Sequence, residues 1–456
     1  VNEDEVIKKI LKIINISHKD LNNFYEEIKS NNKQFAKEIL ITKKLSQKDV
    51  SKLAVRSIEF PEVSFSMTKK RVYPQGIIAG HITGYVGPYS KKDDKIKSNT
   101  SRFEVGKTGL EEFFEKDLRG KFGRKRNEVT SKGHIIASQI YENTISGNDV
   151  QTSLDMGLQA FAIERFERGN NTVVYLKNDR IKKQIEPTQN INYENKDFVY
   201  KDKKNRIVNP QSGSLVVMDI ENGEILCSVS SPGYDPNIFS EGLEINVWNS
   251  LKNNSRAPFL NRSMSGIYPP GSTIKMAVAL AALENGIIDY NTKFYCNGLK
   301  ELGSSTFHCW AKDGHGQLNL MEAIEQSCDV YFYELGLKVG IDKIALMMKK
   351  LGLGQYYDIE INDKSKGVVP NIEWKLKRDG LQWSMGETLN ASIGQGYLLT
   401  TPLQLTTMVS RIANGKFSVT PTLIMKKSQN RFEPLKINPK NLDFIKKSME
   451  KVVTGI

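Results

Sequence analysis

No apolar run in this chain approaches the ~20 residues a helix needs to cross a bilayer, so its 456 residues contain no membrane-spanning helix. Aromatic residues make up 9% and are not interleaved with the basic ones, and no recognisable nucleic-acid module is present. The formal charge of +13 therefore does not indicate a nucleic-acid partner. Scattered, solvated lysine favouring an anionic membrane surface or a cell-wall polymer is the better reading. Cysteine is confined to four positions, which allow three disulfide pairings. With 39% hydrophobic and 26% charged residues, the composition excludes a disordered chain. A chain of this length carries two or three domains, each with its own core.

The most informative stretch present is Tyr268-Pro269-Pro270-Gly271-Ser272-Thr273-Ile274-Lys275, followed by an alanine-rich run from Met276 to Leu283. Proline and glycine stop whatever precedes, so Ser272 is predicted at a helix N-terminus, where free N–H groups and the dipole favour developing negative charge. Lys275 lies one turn on, with its amine in reach of the serine hydroxyl. A hydroxyl becomes a nucleophile when a neighbouring base takes its proton, and a neutral lysine can be that base. Three other S-x-x-K matches (Ser30/Lys33, Ser66/Lys69 and Ser448/Lys451) are expected by chance in a lysine-rich chain. None follows a Pro-Pro-Gly turn or opens an apolar helix.

A second motif, Ser327-Cys328-Asp329, follows in the order that S-x-x-K and S-D-N take in penicillin-binding proteins and class A β-lactamases. The chain resembles the class B penicillin-binding proteins, most closely the elongation-type penicillin-binding protein 2 group, over nearly its whole length. Further matches are Arg71-Val72-Tyr73-Pro74, Gly80 to Gly87, Gly106 to Glu111, Gln151 to Asp155 and Ser230 to Asn237. Ser392-Ile393-Gly394-Gln395-Gly396 and Thr401 to Leu405 complete the set. The resemblance implies an α+β multidomain chain, with residues 1–149 as a mixed pedestal or dimerisation-type module. Residues 150–456 would form a β-lactamase-like transpeptidase domain, an antiparallel sheet flanked by helices, with a polar insertion at about 170–211.

Two departures stand out. The second motif ends in Asp329 rather than asparagine, as elongation-type members tend to have it. The third motif, K-[ST]-G, is absent after Asp329, and Lys107-Thr108-Gly109 matches it only in the wrong module. The third motif and the remaining strands are expected beyond Ile456, and a membrane anchor ahead of Val1, so this piece alone is expected not to acylate.

Coarse patterning predicts helices at Val6–Ile14, Leu21–Ile28 and Ser46–Ala54, the last capped by Ser46. A half-buried strand is expected at Val63–Val72 and an extended hairpin at Gly120–Ile136. Met156–Glu167 is expected to be a helix with an apolar face of Leu158, Phe161, Ala162 and Phe166. Strands Ser214–Ile220 and Ile225–Val229 flank an Asn222-Gly223 turn, the strongest short hairpin signal. The serine helix is expected to pack on this hairpin.

Cys296, Cys309 and Cys328 fall between the two catalytic motifs with His315 among them. Thiolates with one imidazole suit a closed, tetrahedral structural zinc site, with His308 and Asp313 as outer partners. The spacing is not that of a zinc finger. A disulfide with spare thiols and a Cys328 that is simply buried are the competing readings. Relatives in this subfamily also place metal-binding side chains in this loop.

The resemblance implies a D,D-transpeptidase acting in cell elongation and rod shape, with Ser272 as nucleophile, Lys275 as its base, Ser327 as proton relay and Asp329 as orienting group. Gly394, Gln395 and Gly396 are expected to contact substrate. The ligands implied are stem pentapeptides and β-lactams, and the partners are a glycan-polymerising membrane protein and the elongation complex. The location implied is the bacterial inner membrane, single-pass, with the catalytic domain in the periplasm. A serine β-lactamase-like hydrolase and a non-catalytic scaffold of the wall machinery are the alternatives.

Overall fold

The structure, a computed structural model, describes residues 3–30, 39–42, 45–60, 63–64, 70–89, 104–130, 135–168, 173–175, 181–184, 200–201, 207–208, 212–240, 243, 245–362, 364–425 and 432–455. They fall into two compact units, one of Val1–Lys70 with Lys121–Ile145, the other of Arg71–Gly120 with Ser146–Ile456.

In the first unit, helices Glu3–Leu11, His18–Ser30 and Gln47–Val55 occupy the three predicted places. Ser46 caps the third, its hydroxyl accepting the Asp49 N–H at 3.1 Å. Ile10, Ile14, Ile16, Leu53 and Phe60 form its small core. Arg124–Val129 and Ile135–Glu142 pair antiparallel; the hairpin expected at Gly120–Ile136 thus extends further, its second strand lying almost wholly beyond Ile136. Of the strand expected at Val63–Val72, residues 65–69 lie outside the described residues. So does most of the 170–211 insertion, of which the short pairs Val173–Tyr175 with Ile181–Gln184 and Tyr200–Lys201 with Ile207–Val208 are described.

The second unit is built around the hairpin Gly213–Met218 and Ile225–Ser231. Its turn forms because Asp219 Oδ1 accepts the N–H groups of Glu221 and Asn222, while Gly223 takes φ +78°. Helices Met156–Arg168 and Pro402–Asn414 cover the hairpin. On the first of these the buried stripe is Ala162 and Ile163, with Leu158 and Phe166 partly covered; Phe161, expected inside, is 53% exposed.

The serine helix does not pack on the hairpin as expected. Helix Lys275–Glu284 is buried at Lys275 and throughout Ala277–Leu283, and a helix apolar on all sides needs neighbours all round. It sits among helices Asp329–Val339, Ile341–Lys350 and Pro439–Thr454, at the centre of the largest apolar cluster.

Candidate active site

Pro269 and Pro270 end the preceding segment, and Gly271 turns the chain at φ +58°, in the left-handed region that a side chain disfavours. A 3₁₀ turn, Gly271–Ile274, then feeds straight into helix Lys275–Glu284. Ser272 is exposed on that turn, and its hydroxyl makes no hydrogen bond among the described residues. Ile274 and Lys275 are buried.

Lys275 is 2% exposed, and its amine is fully engaged. It donates to Asp329 Oδ1 at 2.8 Å, to the Ser327 carbonyl at 2.9 Å and to Ser327 Oγ at 3.1 Å. The amine expected in reach of the Ser272 hydroxyl thus makes its hydrogen bonds to the second motif. Of the four residues assigned to catalysis, three form a hydrogen-bonded group, and the fourth presents its hydroxyl to solvent within the same turn.

The second motif is shaped by a backbone irregularity. Ser327 adopts φ +51°, rare for a side-chain-bearing residue. Cys328 then caps helix Asp329–Val339, its sulfur accepting the Tyr331 N–H at 3.4 Å. Asp329 opens that helix, so its carboxylate sits at a positive dipole end beside the Lys275 ammonium. Nothing in the sequence signals the positive φ.

Trp310 was missed by sequence reasoning. Its backbone N–H donates to Asp329 Oδ2 at 3.1 Å, and its indole N–H is shared between the carbonyls of Gln326 and Ser327, both at 3.1 Å. The available signal was a tryptophan within a polar, metal-ligand-like loop.

Gly394 lies directly beneath the serine turn. The Gly271 N–H donates to the Gly394 carbonyl at 3.0 Å. Gly394 has φ +78°, and a Cβ there would stand 2.1 Å from the Gly271 oxygen. Gly396 is also left-handed, at φ +73°. Ladder-like bonds between Tyr268 and Thr400, at 2.9 Å in each direction, tie the two segments on either side. Lys107-Thr108-Gly109, the misplaced triplet, joins strand Glu104–Gly106 to helix Gly109–Phe113 and has no place at this site.

Cys296, Cys309, His315 and Cys328 converge, their ligand atoms within 4.8 Å of one another. Both the Cys296 and Cys309 sulfurs lie 3.5 Å from His315 Nδ1. Bond lengths of about 2.3 Å to sulfur and about 2.0 Å to nitrogen place tetrahedral neighbours about 3.5 Å apart, so the spacing suits zinc. All four cysteines of the chain are free thiols. Burial pushes the Cys328 thiol well above its ordinary range, the cost of a lone buried thiolate. Burial also lowers His315, favouring the neutral imidazole. His308 and Asp313 are exposed and hydrogen-bond none of the four. Cys227 is buried on its hairpin strand, away from this group.

The family model for the penicillin binding protein transpeptidase domain matches residues 213–456, and that for the penicillin-binding protein dimerisation domain matches residues 1–152. The chain is 31% identical to the peptidoglycan D,D-transpeptidase MrdA of Acinetobacter baumannii, over 93% of this chain and 57% of that protein. Identity to the Escherichia coli MrdA is 29%, over 94% of this chain and 62% of that protein. The chain thus spans roughly three fifths of these relatives. Among solved structures, PBP2 of Helicobacter pylori in complex with MreC matches with a TM-score of 0.79 and 30% identity, over 99% of this chain and 78% of that one. Pseudomonas aeruginosa PBP2 in complex with WCK 5153 matches with a TM-score of 0.68 and 29% identity, over 86% and 76%. By domain content and by likeness to PBP2, this chain belongs to the penicillin-binding protein family, on its class B, elongation-type branch.

Proposed function

We propose that the protein is a peptidoglycan D,D-transpeptidase of cell elongation that works through an acyl-enzyme on Ser272. The carrying observation is the group Lys275–Ser327–Asp329, hydrogen-bonded together behind an exposed serine on a helix's first turn. Ser272 Oγ attacks the carbonyl of the penultimate D-Ala of a stem pentapeptide, and its proton passes to Lys275 after that amine, an ammonium while paired with Asp329, has first given up a proton to solvent. The Ser272 N–H, among the free donors of that first turn, supports the oxyanion. The peptide C–N bond breaks, terminal D-Ala leaves, and Ser327 returns a proton to its amine. An amine from a second stem then attacks the ester, forming the cross-link and restoring the serine. Asp329 holds the amine of Lys275 in place throughout. Gln395, beside the Gly271 turn, and its flanking glycines supply a substrate-facing edge. A β-lactam enters the same attack as a mimic of D-Ala-D-Ala. In the full-length protein, replacing Ser272 by alanine should abolish covalent labelling by a fluorescent penicillin, while Ser448→Ala leaves it intact, because Ser448 is buried and donates within its own helix. Labelling that survives Ser272→Ala sinks the mechanism.

The four converging ligand atoms are proposed to hold a structural zinc. The metal would neutralise thiolates that burial otherwise disfavours, and it would fix the loop that carries Trp310. Protein purified without added zinc or chelator should contain about one zinc per chain, as one four-ligand site requires. Cys309→Ser should lower the melting temperature and weaken acylation. Metal-free protein with a Cys296–Cys309 disulfide would overturn this and leave the disulfide in its place.

The solved relatives include PBP2 bound to MreC and a peptidoglycan synthase complex that coordinates polymerization and crosslinking. We propose matching partners here: a glycan-polymerising membrane protein and the elongation machinery. An anchor in the inner membrane, with catalysis on the periplasmic side, fits those partners.

A further inference from the structure

We propose that Trp310 is a positioning residue for acylation, and that it acts through its indole N–H on the Ser327 carbonyl. The proposal rests on the acyl-enzyme reading of Ser272. Three observations carry it. First, the Ser327 backbone sits at φ +51°, a conformation that persists only where its surroundings impose it. Second, the Ser327 carbonyl receives two donors from distant parts of the chain, Lys275 Nζ at 2.9 Å and Trp310 Nε1 at 3.1 Å. The same tryptophan holds Asp329 Oδ2 through its backbone N–H at 3.1 Å, leaving Oδ1 for Lys275 at 2.8 Å. Third, Trp310 as a residue is 65% exposed, so its place is not explained by core packing.

Together these make Trp310 a clasp over the second motif. Without the indole donor, the unusual Ser327 backbone is held from one side only, and Ser327 Oγ, 3.1 Å from the lysine, loses its fixed aim. Proton relay depends on such alignment, whereas recognition of the ligand before attack does not. The loss therefore belongs to the chemical step.

The test uses the full-length protein and a fluorescent penicillin, with stopped-flow separation of the non-covalent constant from the first-order acylation constant. Both are read per acylating molecule, so a change in folded fraction does not alter them. Trp310→Phe, which keeps a ring but no donor, should slow acylation about five- to tenfold, the scale of one hydrogen bond. The non-covalent constant should stay within about twofold, because that donor faces the protein rather than the ligand. Trp310→His places a ring N–H where the indole had one and should recover most of the rate. If Trp310→Phe does not fold, replacing Trp310 with benzothienylalanine, which carries sulfur in place of N–H, makes the same comparison. An unchanged acylation constant, or a weakened non-covalent constant with normal acylation, overturns the proposal. So does a rate loss in Trp310→His equal to that in Trp310→Phe. A parent protein that does not acylate Ser272 at all overturns the acyl-enzyme reading itself, and the two failures are thereby told apart.

Discussion

Lys275 shows why the second motif ends in aspartate here. An ammonium at 2% exposure is costly to bury unless it is paired, by several kcal/mol for an isolated ion. Asp329 supplies the counter-charge at 2.8 Å, while Ser327 fills the remaining donor directions; an asparagine at 329 would give the hydrogen bond but not the charge. His81 is partly buried, and there the environment favours its neutral form instead. Its Nε2 is 2.8 Å from the Pro258 carbonyl, and burial lowers its pKa from 6.5 to about 4. The unfolded chain takes up this proton near pH 6.5, while the folded one resists until about 4. Stability from this group is thus complete above pH 6.5 and is lost as pH falls toward 4. The loss is up to about 3 kcal/mol, at about 1.4 kcal/mol per pKa unit. Denaturant unfolding at pH 7 and pH 4.5 should show a smaller drop for His81→Gln than for the parent. Equal drops would rule His81 out as a source of acid sensitivity.

At the scale of elements, the Ser272 turn is set by what lies under it. Gly394 and Gly271 meet backbone to backbone, so Gly394→Ala meets both a left-handed backbone and a clash with the Gly271 oxygen. The backbone alone costs about 1–3 kcal/mol. The expected outcome is slower penicillin labelling together with a lower melting temperature; labelling at the parent rate would show that the turn does not depend on this contact. How far such features could be read from the sequence depends on how local their causes are. The Ser46 cap, the Asn222-Gly223 hairpin and the Pro-Pro-Gly break before Ser272 act within a few residues and were legible. The cysteine and histidine side chains that converge were also legible, because few residue types can do their chemistry. Trp310, the Ser327 backbone and the seat of the serine helix were not, because each is decided by partners from elsewhere in the chain. The exposure of Phe161 was missed for the same reason, since a periodic pattern cannot say how far a neighbour covers it.

Across the whole molecule, the compact units do not follow chain order: residues 71–120 group with Ser146–Ile456. Residues 71–120 join the later unit through non-local bonds: Tyr73 N–H donates to Asn237 Oδ1 at 2.9 Å, and Asn237 returns a bond to the Tyr73 carbonyl at 2.8 Å. Composition carries no trace of such pairings. The match to a dimerisation domain over residues 1–152 also separates this chain from a free-standing serine β-lactamase, which shares the order of the catalytic motifs.

The Lys275 amine meets partners 52 and 54 residues further along the chain, and the loop with Cys296, Cys309 and His315 lies between them. That separation has a consequence in time. Locally determined elements such as the Asn222-Gly223 hairpin can form early, but the group around Lys275 closes only after the intervening loop has been laid down and ordered. Refolding followed by circular dichroism should therefore run ahead of refolding followed by penicillin labelling of the full-length protein. If the two traces coincide, the site assembles with the first elements and the delay does not exist.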